Sequence, residues 1–314
     1  VGRWVQPGSV DLAYLDPPFC VDKTFGARIT PAASSEQAPP AEARRERGPI
    51  AYSDVWPSLE AYLAWLEPRV QAVRDCLSDR GTMWLHLDYR AVHEAKIICD
   101  KIYGRRAFRG EVIWVPGNGS KTTKGPALAH QTLLLYAKGR DALWNGRDPA
   151  LREPYAATSQ SMHFTNVDST GRRYRERSVG GKTYRYFADE GRAIGSVWTD
   201  CPSMVANTPL RAETTGYPTQ KPLKLLDRII RATSNPGSLV LDPFAGSGTT
   251  LAAAAAAGRH FVGIDRGELA IATCRSRLEA IGATYNFISM HSTQCSTLVG
   301  HGHAVQSTAE VQRS

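Results

Sequence analysis

Residues 237–265 read "GSLVLDPFAGSGTTLAAAAAAGRHFVGID", and the order of parts in this stretch decides the fold. Leu239, Val240 and Leu241 make a short buried strand. The segment Asp242, Pro243, Phe244, Ala245, Gly246, Ser247, Gly248 then turns into an alanine-rich helix. A second strand, "HFVGID", ends in Asp265, 23 residues beyond Asp242. Strand, glycine turn, helix and strand form the unit of nucleotide-binding α/β folds. There the glycines let a ligand approach the backbone, and an acid about 20 positions on accepts hydrogen bonds from ribose hydroxyls. The turn lacks both G-x-G-x-x-G and G-K-[ST]; its pattern is F-x-G-x-G followed by Thr249 and Thr250. That favours a ligand carrying adenosine and a zwitterionic tail over a diphosphate.

A second turn stands near the other end, in "DLAYLDPPFC", residues 11–20. An apolar strand that runs into Asp16, Pro17, Pro18 and Phe19 is poor material for a core and good material for a site. Between the two turns, "SLEAYLAWLEPRVQAVRDCL" places Leu59, Leu63, Leu66, Val70, Val73 and Leu77 at helical spacing, with Pro68 expected to kink the helix. Residues 82–88, "TMWLHLD", read as a buried strand in which His86 is a satisfied strand residue, and "RAVHEAKIICDKIYG" reads as a helix closed by Gly104. Further strands are expected at 111–115 and 131–137. Strands alternating with helices imply a parallel α/β sheet.

Two segments are left out of that sheet. Residues 27–50 are rich in Ala, Pro, Ser and charge, and are expected to form a mobile loop over the site. Residues 286–314 show no sustained apolar period and are expected to be a disordered tail.

With 314 residues and 42% hydrophobic content the chain can fill a real core. No window approaches the ~18 uninterrupted apolar residues of a membrane span, and residues 1–10 lack the pattern of a secretory signal, so a soluble, cytoplasmic protein without membrane contact is expected. Six scattered cysteines without a Cys-x-x-Cys pair suggest neither a zinc site nor a disulfide framework, and no metal site is expected. The net charge of +8 is concentrated. Residues 101–200 hold 17 Lys and Arg against 9 Asp and Glu, while the rest of the chain holds 21 of each. The densest run, residues 171–187, interleaves Arg172, Arg173, Arg175, Arg177, Lys182 and Arg185 with Tyr174, Tyr184, Tyr186 and Phe187. A charge run is commonly a solvated face. Aromatics among the arginines point to nucleic acid, because guanidinium groups meet phosphates while rings stack on bases.

Taken in order, "DLAYLDPPF", "GTMWLHLD", "HQTLLLYAK", "VWTDCP", "GYPTQKPLKLLDRIIRATSNPGSLVLDPFAGSGTT" and "GIDRGELAIA" resemble the β-class amino-group DNA methyltransferases, especially their adenine-specific members, over roughly residues 9–280. The resemblance implies a Rossmann-like class I fold dependent on S-adenosylmethionine (SAM): a mixed, mostly parallel sheet with helices on both faces, circularly permuted so that the catalytic motif precedes the cofactor motif. It implies a catalytic half at 1–138, a basic target-recognition region at 139–200 and a SAM-binding half at 201–285. The family's Gly-Asp strand ahead of "SVDL" has no counterpart among residues 1–8.

The implied reaction is methyl transfer from SAM to the N6 amine of adenine in DNA, or by the same fold to N4 of cytosine, whose enzymes more often carry Ser in place of Asp16. A catalytically inactive DNA-binding relative is the third reading. For transfer, Asp16 and the Pro17 carbonyl would accept from the amine of a flipped base, Pro18 would stiffen the turn and Phe19 would stack on the base. Asp242, Pro243, Phe244, Gly246, Gly248 and Thr249 would line the methionine side of SAM, Asp265 would take the ribose, and Thr219 and Lys221 the methionine carboxylate. DNA is the implied partner. A homodimer and a cognate restriction endonuclease are left open.

Overall fold

The computed structural model describes residues 5–28, 47–117, 122–204, 212–290 and 295–301. The first half carries β1 (Val10–Leu15), the hairpin β2 (Lys23–Arg28) and β3 (Arg47–Asp54), α1 (Leu59–Cys76), β4 (Leu77–Leu87), α2 (Val92–Tyr103), β5 (Phe108–Trp114) and β6 (Gln131–Ala137). The middle adds β7 (Arg152–Glu153), α3 (Ala157–His163), β8 (Asn166–Val167), β9 (Arg173–Val179), β10 (Lys182–Phe187), β11 (Arg192–Ala193) and β12 (Val197–Trp198). The last part holds α4 (Leu223–Thr233), β13 (Leu239–Asp242), α5 (Thr249–Ala256), β14 (His260–Asp265), α6 (Glu268–Ala280), β15 (Thr284–Met290) and β16 (Cys295–His301).

Nine strands form one sheet in the order β12-β5-β6-β4-β1-β13-β14-β16-β15. Its centre, β4-β1-β13-β14, is wholly parallel, and β6 and β16 are the two strands that run against the rest. The sheet is therefore mixed and mostly parallel. Alternation along the central strands sends side chains to two cores. Leu12, Tyr14, Trp84, Val240 and Phe261 pack with α4, α5 and α6 on one face, while Ala13, Leu15, Met83, Leu85, Leu241 and Val262 pack with α1 and α2 on the other. Helices cover both faces, as a Rossmann-like fold requires. Each fully buried Leu or Val stabilises this arrangement by about 1.5–3 kcal/mol.

Ser58 caps α1 by accepting from the Ala61 N–H, and the helix continues through Pro68. It buries Leu66, Val70 and Val73 as its spacing predicts, with Tyr62 and Cys76 added, while Leu59 and Leu63 are only partly covered. Two expectations need correction. Residues 286–301 are not a disordered tail: β15 and β16 pair with each other and, through β16, with β14. Leu298 and Thr297 are buried there, but one face of β15 stays open to solvent, which hides the apolar period. The second concerns 27–50. Its ends are the hairpin strands β2 and β3, paired from Lys23↔Asp54 to Arg28↔Arg47, and its Pro- and Ala-rich part at 29–46 lies outside the described residues, as do 302–314. β12, near the end of the basic stretch at 139–200, joins the central sheet beside β5. Among the described residues no helix is long and apolar enough to cross a membrane, and no His, Cys, Asp and Glu cluster has metal-binding geometry.

Candidate active site

The two turns singled out in the sequence leave neighbouring strands. β1 and β13 pair in parallel with Leu12 opposite Val240 and Ala13 opposite Leu241. From β1 the chain crosses through α1 to β4 on one side, and from β13 it crosses through α5 to β14 on the other. The strand order therefore reverses between β1 and β13. A crevice opens at the carboxyl ends of strands at such a point. Asp16 and Phe244 stand at those two ends.

Asp16 is joined to Lys221, whose Nζ donates to Oδ1 at 2.7 Å and to Oδ2 at 2.5 Å. Both side chains are largely buried, with 17% of Asp16 and 9% of Lys221 exposed. Burial pushes the Asp16 carboxyl above its ordinary range, and the Lys221 ammonium opposes that rise. The Lys221 ammonium also lies 5.0 Å from the Phe19 ring centre. Phe19 tilts against His86 at 5.6 Å, and His86 Nδ1 is 3.9 Å from Asp16 Oδ1. His86 belongs to the wall of the site. Burial first, and Lys221 second, depress its pKa well below the usual value, so its ring is neutral, and Nδ1 shares a hydrogen bond with the Tyr14 hydroxyl at 2.7 Å. Pro17 is buried beneath the turn.

At the glycine turn, Asp242 is buried and its pKa is pushed up to about 7, chiefly by that burial, while its Oδ1 accepts from the Phe244 N–H at 3.0 Å. Gly246 (φ 49°) donates to Asp265 Oδ2 at 2.9 Å, and Gly267 donates to Oδ1 at 2.8 Å. Asp265 thus shapes the turn that it faces. Gly248 (φ 73°) is needed twice over, for its left-handed backbone and because a Cβ would lie 2.9 Å from Cys274 Sγ. Phe244 and Pro243 close the turn on the α1 side, with the Phe244 ring 5.8 Å from that of Trp65.

Lys221 connects the turns. Its side chain reaches Asp16, and its carbonyl accepts from the Thr249 hydroxyl at 3.1 Å at the start of α5. Thr249 is buried and also accepts from Arg277 at 2.8 Å, so it fixes the Lys221 backbone against the start of α5. Thr219, in a left-handed conformation (φ 59°), exchanges a hydrogen bond with Tyr52 at 3.1 Å. The pair expected at a cofactor carboxylate is thus engaged within the chain, Lys221 with Asp16 and Thr219 with Tyr52. Pro222 caps α4 from just outside its first turn.

The sequence reading missed Asp54, which holds the Asp-Pro-Pro-Phe turn from β3, and Tyr217, whose ring covers Gly246. Nothing local marks either residue, since the first acts 35 positions from Phe19. In the basic region, β8, β9 and β10 form a separate small sheet. Four of the six singled-out cations have partners there. Arg172 pairs with Asp189 and Glu190, Arg185 with Glu176, and Arg173 bonds to the Phe164 and Gln160 carbonyls. Arg175 is enclosed by the rings of Tyr155, Phe164 and Tyr186. Arg177 and Lys182 are exposed near the hairpin tip and form no ion pair among the described residues.

The chain is similar to several known proteins. It is 28% identical to the Type II methyltransferase M.EcaI of Enterobacter cloacae, over 88% of this chain and 66% of that protein, so it spans just under two thirds of that relative. It is 28% identical to the DNA adenine methyltransferase YhdJ of Escherichia coli, over 82% of this chain and 72% of that one. Against the Type II methyltransferase M1.MboII of Moraxella bovis the identity is 27%, over 83% and 86%. Among solved structures, the M1.HpyAVI–SAM complex superposes with a TM-score of 0.47 at 19% identity, covering 86% of this chain and 89% of that one. The family model described as DNA methylase matches residues 10–274, a span that includes both turns and Lys221, and the chain belongs to that family.

Proposed function

We propose that this protein transfers a methyl group from SAM to the exocyclic N6 amine of adenine in DNA, after rotating the base out of the duplex. The observation that carries the reading is Asp16, a largely buried carboxylate at the end of β1, standing beside the glycine turn of β13 with an aromatic ring at its shoulder. SAM is the donor, and its methyl is electrophilic. An exocyclic amine conjugated with its ring is a weak nucleophile, so hydrogen bonds from its two N–H groups to Asp16 and to the Pro17 carbonyl favour a more tetrahedral nitrogen. Positive charge grows on that nitrogen during transfer, and acceptors fixed in advance stabilise it more than the ground state. Phe19 stacks on the base. The product amine loses its proton to Asp16 or to solvent, so no catalytic histidine is needed, which accords with the neutral His86.

On the donor side, Asp242 accepts from the ammonium group, the Phe244–Gly248 turn with Pro243 lines the methionine part and Asp265 takes the ribose. The sequence order of the two turns on adjacent strands supports the permuted, β-class arrangement. For the nucleic acid, one face of the β9–β10 hairpin supports contact: Arg177, Lys182 and Tyr184 lie on it, toward the tip, and all are exposed. Arg172, Arg173, Arg175 and Arg185 stiffen the platform beneath. The Type II names of two relatives support a restriction–modification setting with a cognate endonuclease.

Asp16 and the likeness to YhdJ favour adenine over cytosine. Incubation with labelled SAM and mixed DNA, followed by digestion to nucleosides, tests the reading. N6-methyladenine is expected. N4-methylcytosine would change the substrate, and no labelled nucleoside would leave a non-catalytic DNA-binding protein.

A further inference from the structure

The Asp-Pro-Pro-Phe turn leaves β1 without regular secondary structure, and a catalytic carboxylate needs a fixed frame. After Phe19 the backbone enters left-handed conformations at Cys20 (φ 60°) and Asp22 (φ 55°), neither of which is glycine. Such residues persist only where the surroundings hold them. Here three successive backbone N–H groups, of Phe19, Cys20 and Val21, converge on one point. The Asp54 carboxyl group fills it. Its Oδ2 accepts from Phe19 at 2.8 Å and Val21 at 3.2 Å, and its Oδ1 accepts from Cys20 at 3.0 Å and from the Trp56 indole at 2.8 Å. Asp54 is 1% exposed. Convergent backbone N–H groups form a concavity that draws a negative group, and in this chain that group comes from the last residue of β3.

We infer that Asp54 is a positioning residue for methyl transfer, locking the Asp16–Phe19 turn in register with the cofactor turn; this rests on the function proposed above. The connection to the second turn is continuous. The Trp56 indole that Asp54 holds packs on Trp65 at 4.9 Å, and Trp65 meets Phe244 at 5.8 Å. Two residues before Asp54, Tyr52 reaches Thr219 at 3.1 Å, and that segment leads into Lys221. β3 therefore grips the acceptor side, the donor side and the lysine between them. Loss of the Asp54 contacts frees the Phe19 ring and the Pro17–Pro18 carbonyls to wander, while Asp242 and the Asp265–Gly246 contact, which Asp54 does not touch, keep their places.

The test compares wild type with Asp54→Asn and Asp54→Ala. Asn keeps one acceptor oxygen and turns an NH2 group toward two of the four donors; Ala keeps none. The expected result is a fall in kcat of about tenfold for Asn and about a hundredfold for Ala, with the KM for SAM within about twofold of wild type. Asp54→Glu should recover less than Asn, because its longer stem overshoots the concavity. Unchanged kcat in a folded Ala variant would overturn the inference. Hydrogen exchange gives a readout independent of turnover and of whether the variants fold. Pro17 and Pro18 lack N–H groups, so a peptide over residues 16–22 reports on Phe19, Cys20 and Val21 with only Asp22 besides. Slow exchange of these amides in folded wild type is expected, and free-loop rates would overturn the inference. A wild type that methylates no DNA, with those amides still protected, would instead remove the methyltransferase reading.

Discussion

Replacement of Lys221 by methionine keeps the length of the side chain and removes the cation that faces Asp16. Two unit charges about 4 Å apart attract by about 4 kcal/mol at an effective dielectric constant near 20. With 17% of Asp16 and 9% of Lys221 exposed, most of that attraction survives solvent screening. Breaking a buried pair in this way costs about 3–5 kcal/mol. Asp16 limits the loss by binding a proton. Burial already raises its pKa and only Lys221 lowers it, so in Lys221→Met the carboxyl is raised further. In the proposed reaction Asp16 is an acceptor in its charged form, hence the acidic limb of the kcat profile must move to higher pH. The assay is labelled methyl transfer into bulk DNA at saturating SAM from about pH 5.5 to about pH 9.5, with SAM affinity read by calorimetry. Below neutrality the rate should fall at least about tenfold, most of it returning by about pH 9, while SAM affinity stays within about threefold. An unmoved acidic limb would refute the reasoning. So would a loss of SAM affinity at every pH, which would give Lys221 to the donor's carboxylate.

Asp242 carries the opposite kind of information, about stability. Its folded pKa of about 7 lies above the unfolded value near 3.8, so it favours the folded state fully below pH 3.8 and loses that contribution as pH rises to about 7. Urea unfolding at about pH 5.5 and about pH 8 should show wild type losing about 2 kcal/mol that Asp242→Asn retains. Joint replacement of Arg177 and Lys182 by alanine should reduce the slope of log affinity against log salt for DNA by about two, and Arg172→Ala, already paired with Asp189, should reduce it by much less. Gly248→Ala meets both a left-handed backbone and the Cys274 side chain, and should cost about 2–4 kcal/mol in a thermal unfolding measurement.

Residues that form local patterns were legible in the sequence. The glycine turn, Asp265 and the Asp-Pro-Pro-Phe turn carry their signals within a few positions, and the helix of Leu66, Val70 and Val73 announces itself by spacing. Relations across the chain were not legible. The Asp16–Lys221 pair joins positions 205 apart, and it involves a lysine for which the resemblance implied a contact with the cofactor. Antiparallel β6 was hidden because strand direction depends on a crossover that the sequence does not mark, and the described residues between β5 and β6 form no helix. In the basic region composition counted charges without their partners. Asp189, Glu190 and Glu176, all in the same short stretch, already compensate Arg172 and Arg185.

The pairing of β1 with β13 has a consequence for biogenesis. Leu12 leaves the ribosome 228 residues before its neighbour Val240, so at ordinary rates of synthesis the first strand waits roughly 10–50 seconds for its partner. During that interval β4 can dock on one side of β1, but the other edge exposes unpaired backbone and the apolar side chains of Leu12 and Tyr14. Nascent chains arrested within the basic middle region are then the species most in need of chaperone capture, and the crevice between the strands is among the last features to mature.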